Sequence, residues 1–253
     1  MSNSNLVSYT KISPNRNSPR NHAIDRISIH CVVGQCTAER IGEIFAPESR
    51  EASSNYGIGL DGRIGMYVEE KDRSWCTSSG ANDHRAVTIE VASDTAHPYA
   101  VKAAAFSALL DLCTDICKRN GKKRLLWFGD KEKTLAYTPK ADEMVLTVHR
   151  WFANKACPGE YLYSRHGEIA AEVTKRLAAA DKPAEPTAPA GTGDNPSAWA
   201  KAATEYCKRK GIFAGDGAGN FDWQKPITRE QVATVLYRTL ERAGLLEALP
   251  DKK

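Results

Sequence analysis

Three segments of the chain alternate apolar and polar residues with a period of two. In RISIHCVV, Arg26 to Val33, one face carries Ile27, Ile29 and Cys31 and the other Ser28 and His30. In AVTIEVA, Ala86 to Ala92, Val87, Ile89 and Val91 oppose Thr88 and Glu90. In MVLTVHRW, Met144 to Trp151, Leu146 and Val148 oppose Thr147 and His149. Side chains alternate across a strand, so each segment is predicted to be a half-buried strand with an apolar face for a helix layer. The opposite faces carry His30, Glu90 and His149. If the strands are neighbours, these three groups converge on one side of one sheet.

Between the strands the period changes to that of a helix. PYAVKAAAFSALLDLCTDICKRNG, Pro98 to Gly121, opens on Pro and closes on basic residues and Gly, which predicts a helix packed on the apolar sheet face. SRHGEIAAEVTKRLAAA, Ser164 to Ala180, predicts a second helix. IGLDGRIGMYVEE, Ile58 to Glu70, reads as a hairpin around Asp61-Gly62. The predicted fold class is α/β, a mixed central β-sheet flanked by helices, followed by a small, mostly helical C-terminal domain.

Composition changes abruptly at DKPAEPTAPAGTGDNP, Asp181 to Pro196, which is rich in Pro, Ala, Gly and Thr and has no large apolar residue. It reads as an extended linker. The expected division is a first domain at 1–180, a linker at 181–196 and a tail domain at 197–253. At 253 residues the chain can hold one sizeable core and one smaller unit. A net charge of +4 suits an anionic polymer such as a cell wall without requiring one. No basic cluster with interleaved aromatics points to nucleic acid. No apolar run is long enough to be a membrane span. The N-terminal stretch MSNSNLVSYTKISPNRNSPRNH lacks the apolar core of a secretory signal. The expectation is therefore synthesis in a cytoplasm, with any export by another route. Seven cysteines without a small-scaffold spacing read as mostly reduced thiols. Cys113 and Cys117, four apart on a predicted helix, read as buried thiols in preference to a metal pair.

VHRWFANKACPG, Val148 to Gly159, gathers a histidine, a lysine and a cysteine ahead of Pro-Gly. Catalytic zinc commonly takes three protein ligands and keeps one position open. His30, His149 and Cys157 would supply such a set, with Pro158-Gly159 suited to fixing the turn. Each residue also has a plain structural reading. His30 can be a satisfied core histidine, Cys157 a small buried apolar residue, Glu90 half of a salt bridge and Lys155 a solvated lysine. The spacing alone names no reaction.

The combination of ISIHCVVG, SSNYGIGLDGRIGMYV, AVTIEVA and VHRWFANKACPG, in that order, resembles the type 2 N-acetylmuramoyl-L-alanine amidases, the family that includes peptidoglycan recognition proteins. Within it the chain looks most like bacteriophage endolysins. The resemblance covers about residues 24 to 176. It implies one zinc ion held by His30, His149 and Cys157 on the sheet face. It also implies a catalytic glutamate at Glu90, and Lys155 facing the substrate. Some members carry a catalytic tyrosine just before the hairpin strand. That position is Ser54 here, and Tyr56 falls two residues later, so the proton-handling role is given to Glu90. Tyr56 is kept as a groove-lining candidate. SSGANDHR, Ser78 to Arg85, is predicted to be a loop at the substrate groove, with Asn82 and His84 as candidate contacts and a plain polar loop as the alternative. Trp75 and Trp151 are read as core residues ahead of sugar-stacking ones. The implied activity is hydrolysis of the amide joining N-acetylmuramic acid to L-alanine of the stem peptide, on walls reached after release from the host bacterium.

In the tail, Thr228 and Gln231 form a capping box at the start of a predicted helix. GDGAGNF has too few acidic ligands for a calcium loop. The segment Ala198 to Gly244 resembles one S-layer homology motif, which implies attachment to secondary cell-wall polymers. Such motifs usually come in threes. A single one leaves open a homo-oligomer through the tail, weak binding by one repeat, or a structural remnant. Two other readings of the whole chain stand beside the lysin: a non-catalytic peptidoglycan-binding protein and a cytoplasmic wall-recycling amidase. Presence of Cys157, both histidines and Glu90 argues for an enzyme, and the wall-binding tail argues for an insoluble substrate.

Overall fold

The structure, a computed structural model, describes residues 2–181, 195–213, 215–216, 219–225 and 227–246. The predicted linker 181–196 falls almost wholly outside the described residues. The chain divides into two compact units, Met1–Lys182 and Pro183–Lys253.

The first unit is built on a seven-stranded sheet. In spatial order its strands are β1 (Val7–Thr10), β5 (Ile64–Met66), β4 (Tyr56–Ile58), β7 (Ala86–Ser93), β3 (Arg26–Val33), β9 (Glu143–Thr147) and β8 (Arg124–Leu126). β4 and β5 form the predicted hairpin and pair antiparallel, and the other neighbours pair parallel. Gly62 lies in the hairpin turn at φ 87°, in the left-handed region that glycine adopts without steric cost. A separate two-stranded ribbon joins β2 (Arg16–Asn17) to β6 (Arg73–Ser74).

Alternation sorts the strand residues as expected. Ile27, Ile29, Val87, Ile89, Val91 and Leu146 join one core with α3 (Ala103–Arg119) and α6 (His166–Asp181). Cys113 and Cys117 are buried there, and the Cys117 thiol donates to the Met144 sulfur at 3.8 Å. The helix α3 is shorter than predicted. Tyr99, at φ 62°, cannot continue a right-handed helix, so residues 98–102 form a loop.

The polar face departs from expectation, because it is covered as well. Ser28, His30, Thr88 and Thr147 are all fully buried. Ser28 Oγ and Thr147 Oγ1 are hydrogen-bonded at 2.7 Å, and so are Ser74 Oγ and Thr88 Oγ1. The loop before β4, α1 (Ala38–Phe45) and α2 (Gly80–Asp83) pack on this side through Asn55, Ile41 and Asn82, while Glu90 stays 14% exposed. Two-sided burial is the usual state of a parallel interior strand. Ile41 and Phe45 of α1 pack with Tyr67 in a second, smaller core. Two short helices, α4 (Lys131–Ala136) and α5 (Gly159–Tyr163), complete the unit.

The second unit contains α7 (Lys201–Arg209) and α8 (Arg229–Arg242). The capping box forms: the Thr228 side chain accepts from Gln231 N and the Gln231 side chain accepts from Thr228 N. Arg242 donates to the carbonyls of Lys210 and Gly211, which lie at the end of α7, where a cation complements the helix dipole. Phe221 and Trp223 stack with centroids 5.1 Å apart. Ala214, Gly217 and Ala218, in and beside the GDGAGNF stretch, lie outside the described residues.

Candidate metal centre

The sheet fixes half of this centre. His30 on β3 pairs directly with Glu90 on β7, so both side chains leave the same face of neighbouring strands. His30 Nδ1 lies 4.0 Å from Glu90 Oε1, and the His30 side chain is only 1% exposed. A loop fixes the other half. β9 ends at Thr147, and His149 opens a 3₁₀ turn, His149–Trp151. This corrects the expectation that His149 projects from the strand face: it reaches the site from the turn that follows. The loop is closed by Arg150 N donating to Cys157 O at 3.1 Å and Ala153 N donating to His149 O at 3.2 Å. Trp151 anchors it, stacked on Trp127 with centroids 5.0 Å apart and planes 3° from parallel. Gly159 ends the turn at φ 79°, and a Cβ there would meet Tyr99 Cβ at 2.7 Å. Any larger residue would push the loop off its seat.

Cys157 Sγ thereby comes to 3.3 Å from His30 Nδ1. The candidate ligand atoms of His30, His149 and Cys157 all lie within 4.8 Å of one another. Zinc–nitrogen and zinc–sulfur bonds of about 2.0 and 2.3 Å place tetrahedral ligands about 3.3 to 3.6 Å apart. The His30–Cys157 spacing already satisfies this, so the residues present fit the ion. Ser78 Oγ hydrogen bonds His149 Nε2 at 2.9 Å, an outer contact of the kind that orients a metal-binding imidazole.

The charge states agree with that chemistry. His30 is held well below the usual histidine range by burial, then by the neighbouring His149 and His166. Burial and then the Lys155 charge lower His149. Both imidazoles are therefore neutral and carry the lone pair that binding requires. The Cys157 thiol is raised by its contact with Cys31, then by burial and by Glu90. It must shed its proton to bind a cation, so metal affinity rises with pH. Burial pushes Glu90 up to about 7, opposed by Arg50 and by the Cys76 thiol.

Lys155 is exposed in the same loop, where its charge reaches His149. Three other candidates lie elsewhere. Tyr56 is fully buried in the main core, on the sheet face opposite Glu90. Its hydroxyl donates to Glu70 at 2.7 Å and accepts from Ser4 N at 3.0 Å, so it lines no groove. Asn82 is 1% exposed, accepts from Arg26 at 3.0 Å and donates to Ser28 and Thr77, which ties down loops below the sheet. It sits in α2, where a loop was expected. His84 Nδ1 accepts from Asn21 N at 3.0 Å. It precedes β7, whose first residue, Ala86, lies four residues, about 13 Å along a strand, from Glu90. Ser54, at the family's tyrosine position, is also fully buried and donates to Tyr56 O and Thr88 O. Sequence reading missed Cys76, Ser78 and Cys31. Cys76 donates to Glu90 Oε1 at 3.9 Å, and Ser78 holds a positive φ of 62° in a loop with no periodicity to betray it.

The sequence pattern of the family described as N-acetylmuramoyl-L-alanine amidase matches residues 20–160, and that of the S-layer homology domain matches residues 194–233. The first match covers more than half of the chain, which therefore belongs to the N-acetylmuramoyl-L-alanine amidase family. No curated protein matches. Among solved structures the chain is similar to the endolysin amidase LysCS from Clostridium intestinale URNW, at 18% identity and TM-score 0.44, covering 66% of this chain and 92% of that one. A selenomethionine AmpD derivative matches at 17% identity and TM-score 0.48, covering 67% and 99%. Drosophila peptidoglycan recognition protein SA matches at 16% identity and TM-score 0.43, covering 60% and 81%.

Proposed function

We propose that this chain is a zinc-dependent peptidoglycan hydrolase of the endolysin type. It would cleave the amide between the lactyl group of N-acetylmuramic acid and L-alanine of the stem peptide. The observation that carries the reading is the placement of Glu90 beside a histidine–histidine–cysteine triad, on the strand paired with that of His30. His30, His149 and Cys157 would hold one zinc ion, which supplies a Lewis acid for the amide carbonyl and lowers the pKa of water. Glu90 then accepts a proton from the attacking water and delivers it to the leaving alanine nitrogen. Lys155, exposed on the loop beside His149, would neutralise negative charge developing on the carbonyl oxygen. Ser78 keeps the His149 ring in its ligating orientation.

The S-layer homology segment would hold the hydrolase on secondary cell-wall polymers. Association of several tails would place several catalytic units at one anchor and raise their local concentration. Synthesis in the host cytoplasm with action on the wall after release completes the reading.

The test is to treat purified Gram-positive walls and follow new alanine N-termini beside new reducing sugars. The expected result is alanine termini alone, abolished by a chelator and restored by zinc. Glu90→Ala should keep its metal and lose about 10²- to 10⁴-fold in rate. Near wild-type activity in that variant would remove Glu90 from the mechanism. No new termini, with the protein still sedimenting with walls, would replace the hydrolase by a recognition protein.

A further inference from the structure

Glu90 belongs to a second group of donors that the proposed reaction does not use. His30, Cys76 and Glu90 also present ligand atoms that all lie within 4.8 Å of one another. Cys76 Sγ is 3.9 Å from Glu90 Oε1, and His30 Nδ1 is 4.0 Å from the same oxygen. Tetrahedral zinc needs separations of about 3.3 to 3.6 Å, so each of these two contacts to Glu90 would close by about half an ångström around an ion. A long carboxylate side chain covers that distance by a small torsional change.

An independent observation points to a cation there. Glu90 Oε2 is buried with no hydrogen-bond partner. A buried carboxylate oxygen without a partner is costly and calls for an unseen donor or ion. Among the described residues Glu90 makes no contact ion pair with lysine or arginine; Arg50 acts on it only through its field. Cys76 is held in place by its backbone, whose N–H donates to Asp83 Oδ2 at 3.0 Å, so the thiol points at Glu90 without a search.

We propose that Cys76 and Glu90 form a second, weaker binding site for a thiophilic divalent cation, which His30 completes only when the first site is empty and which is inhibitory when filled. His30 offers one Nδ1 lone pair, so the two triads cannot be complete together. An ion in the His149–Cys157 triad leaves Cys76, Glu90 and solvent for a second ion, which therefore binds more weakly. On binding, the Cys76 S–H bond breaks, a sulfur–metal bond forms and the proton passes to solvent. Glu90 gives its lone pair to the ion and can no longer accept a proton. Free zinc above one equivalent would then switch the hydrolase off. This inhibition rests on Glu90 being the base, whereas binding at Cys76 does not.

The experiment uses the full chain and zinc and cadmium ions as probes. Metal content by native mass spectrometry and the ultraviolet absorption of the cadmium–thiolate bond are read beside activity. Wild type should take up a second, weaker equivalent, and its activity should rise to one equivalent of zinc and then fall. Cys76→Ser should lose the second equivalent and shift the inhibitory limb to at least tenfold higher zinc. Cys157→Ser should retain a cadmium–thiolate signal that Cys157→Ser/Cys76→Ser loses. Cys76→Ala guards against a local folding defect in the serine variant, and Glu90→Gln removes the oxygen ligand from the other side. One equivalent in wild type, with Cys76→Ser titrating identically, would overturn the second site and leave the hydrolase reading standing. Wall inertness with the Cys76-dependent cadmium signal intact would do the reverse.

Discussion

His166 is fully buried, with its ring centroid 4.6 Å from that of Trp127 and its Nδ1 hydrogen-bonded to the Leu162 carbonyl at 2.7 Å. Burial, its largest influence, lowers it to about 4. A depressed histidine means that the unfolded chain takes up its proton first. Stability from this group is therefore complete above about pH 6.5 and falls as pH drops toward 4. Denaturant unfolding at pH 7.5 and 4.5 should show wild type losing about 2 to 3 kcal/mol more than His166→Phe over that interval. Equal losses would show that this histidine does not govern acid sensitivity. Glu70 makes a second case. It is 1% exposed, accepts from Tyr56 OH at 2.7 Å and from Arg119 at 2.6 and 2.9 Å. Glu70→Ala removes two charged contacts from Arg119, which keeps Asp115, and the acceptor of the buried Tyr56 hydroxyl, and should cost about 3 kcal/mol in the same assay. Strand alternation alone exposed His30 and Glu90 to sequence reading. Tyr56 and Asn82 were misplaced because a polar tip says nothing about where its partner lies. Their partners, Glu70 and Arg26, are 14 and 56 residues away.

Two elements depend on a tyrosine lying across glycines. The ring of Tyr67 lies over Gly57 of β4 and Gly65 of β5, and its hydroxyl donates to Ala38 O of α1 at 2.6 Å. A Cβ at Gly57 would meet the ring at 2.6 Å and Ile41 Cγ2 at 2.9 Å. Gly57→Ala should therefore lower stability by about 1 to 3 kcal/mol, read as a drop in Tm. Because Gly57 pairs with Glu90, the same variant should also disturb activity. An unchanged Tm would mean that Tyr67 is free to move. The strands β3 and β7 were legible because eight alternating residues admit one register. Burial of their polar face was not, since its cover comes from loops whose residues lack periodicity. The end of β9 before His149 was hidden for the same reason: VHRW continues the alternation that the backbone abandons.

At the scale of the molecule, every buried apolar side chain among the described residues lies at or before Leu177. The tail instead exposes Trp199, Leu236 and Tyr237, at 89%, 57% and 54%. A chain ending at Asp181 should keep the Tm of the full chain within about 3 °C. On the proposed function it should cleave soluble muropeptides as before and lose sedimentation with walls. A collapse in Tm would show that the tail supports the first unit. The α/β class was readable from the change of period along the chain, and the tail helix from its capping box. The candidate metal centre is divided between two interior strands, which carry His30 and Glu90, and one short loop, which carries His149 and Cys157. Loops open at lower free energy than central strands. On the proposed function, mild heating or storage would release the ion while the sheet endures, leaving a dormant protein that returning the metal can revive.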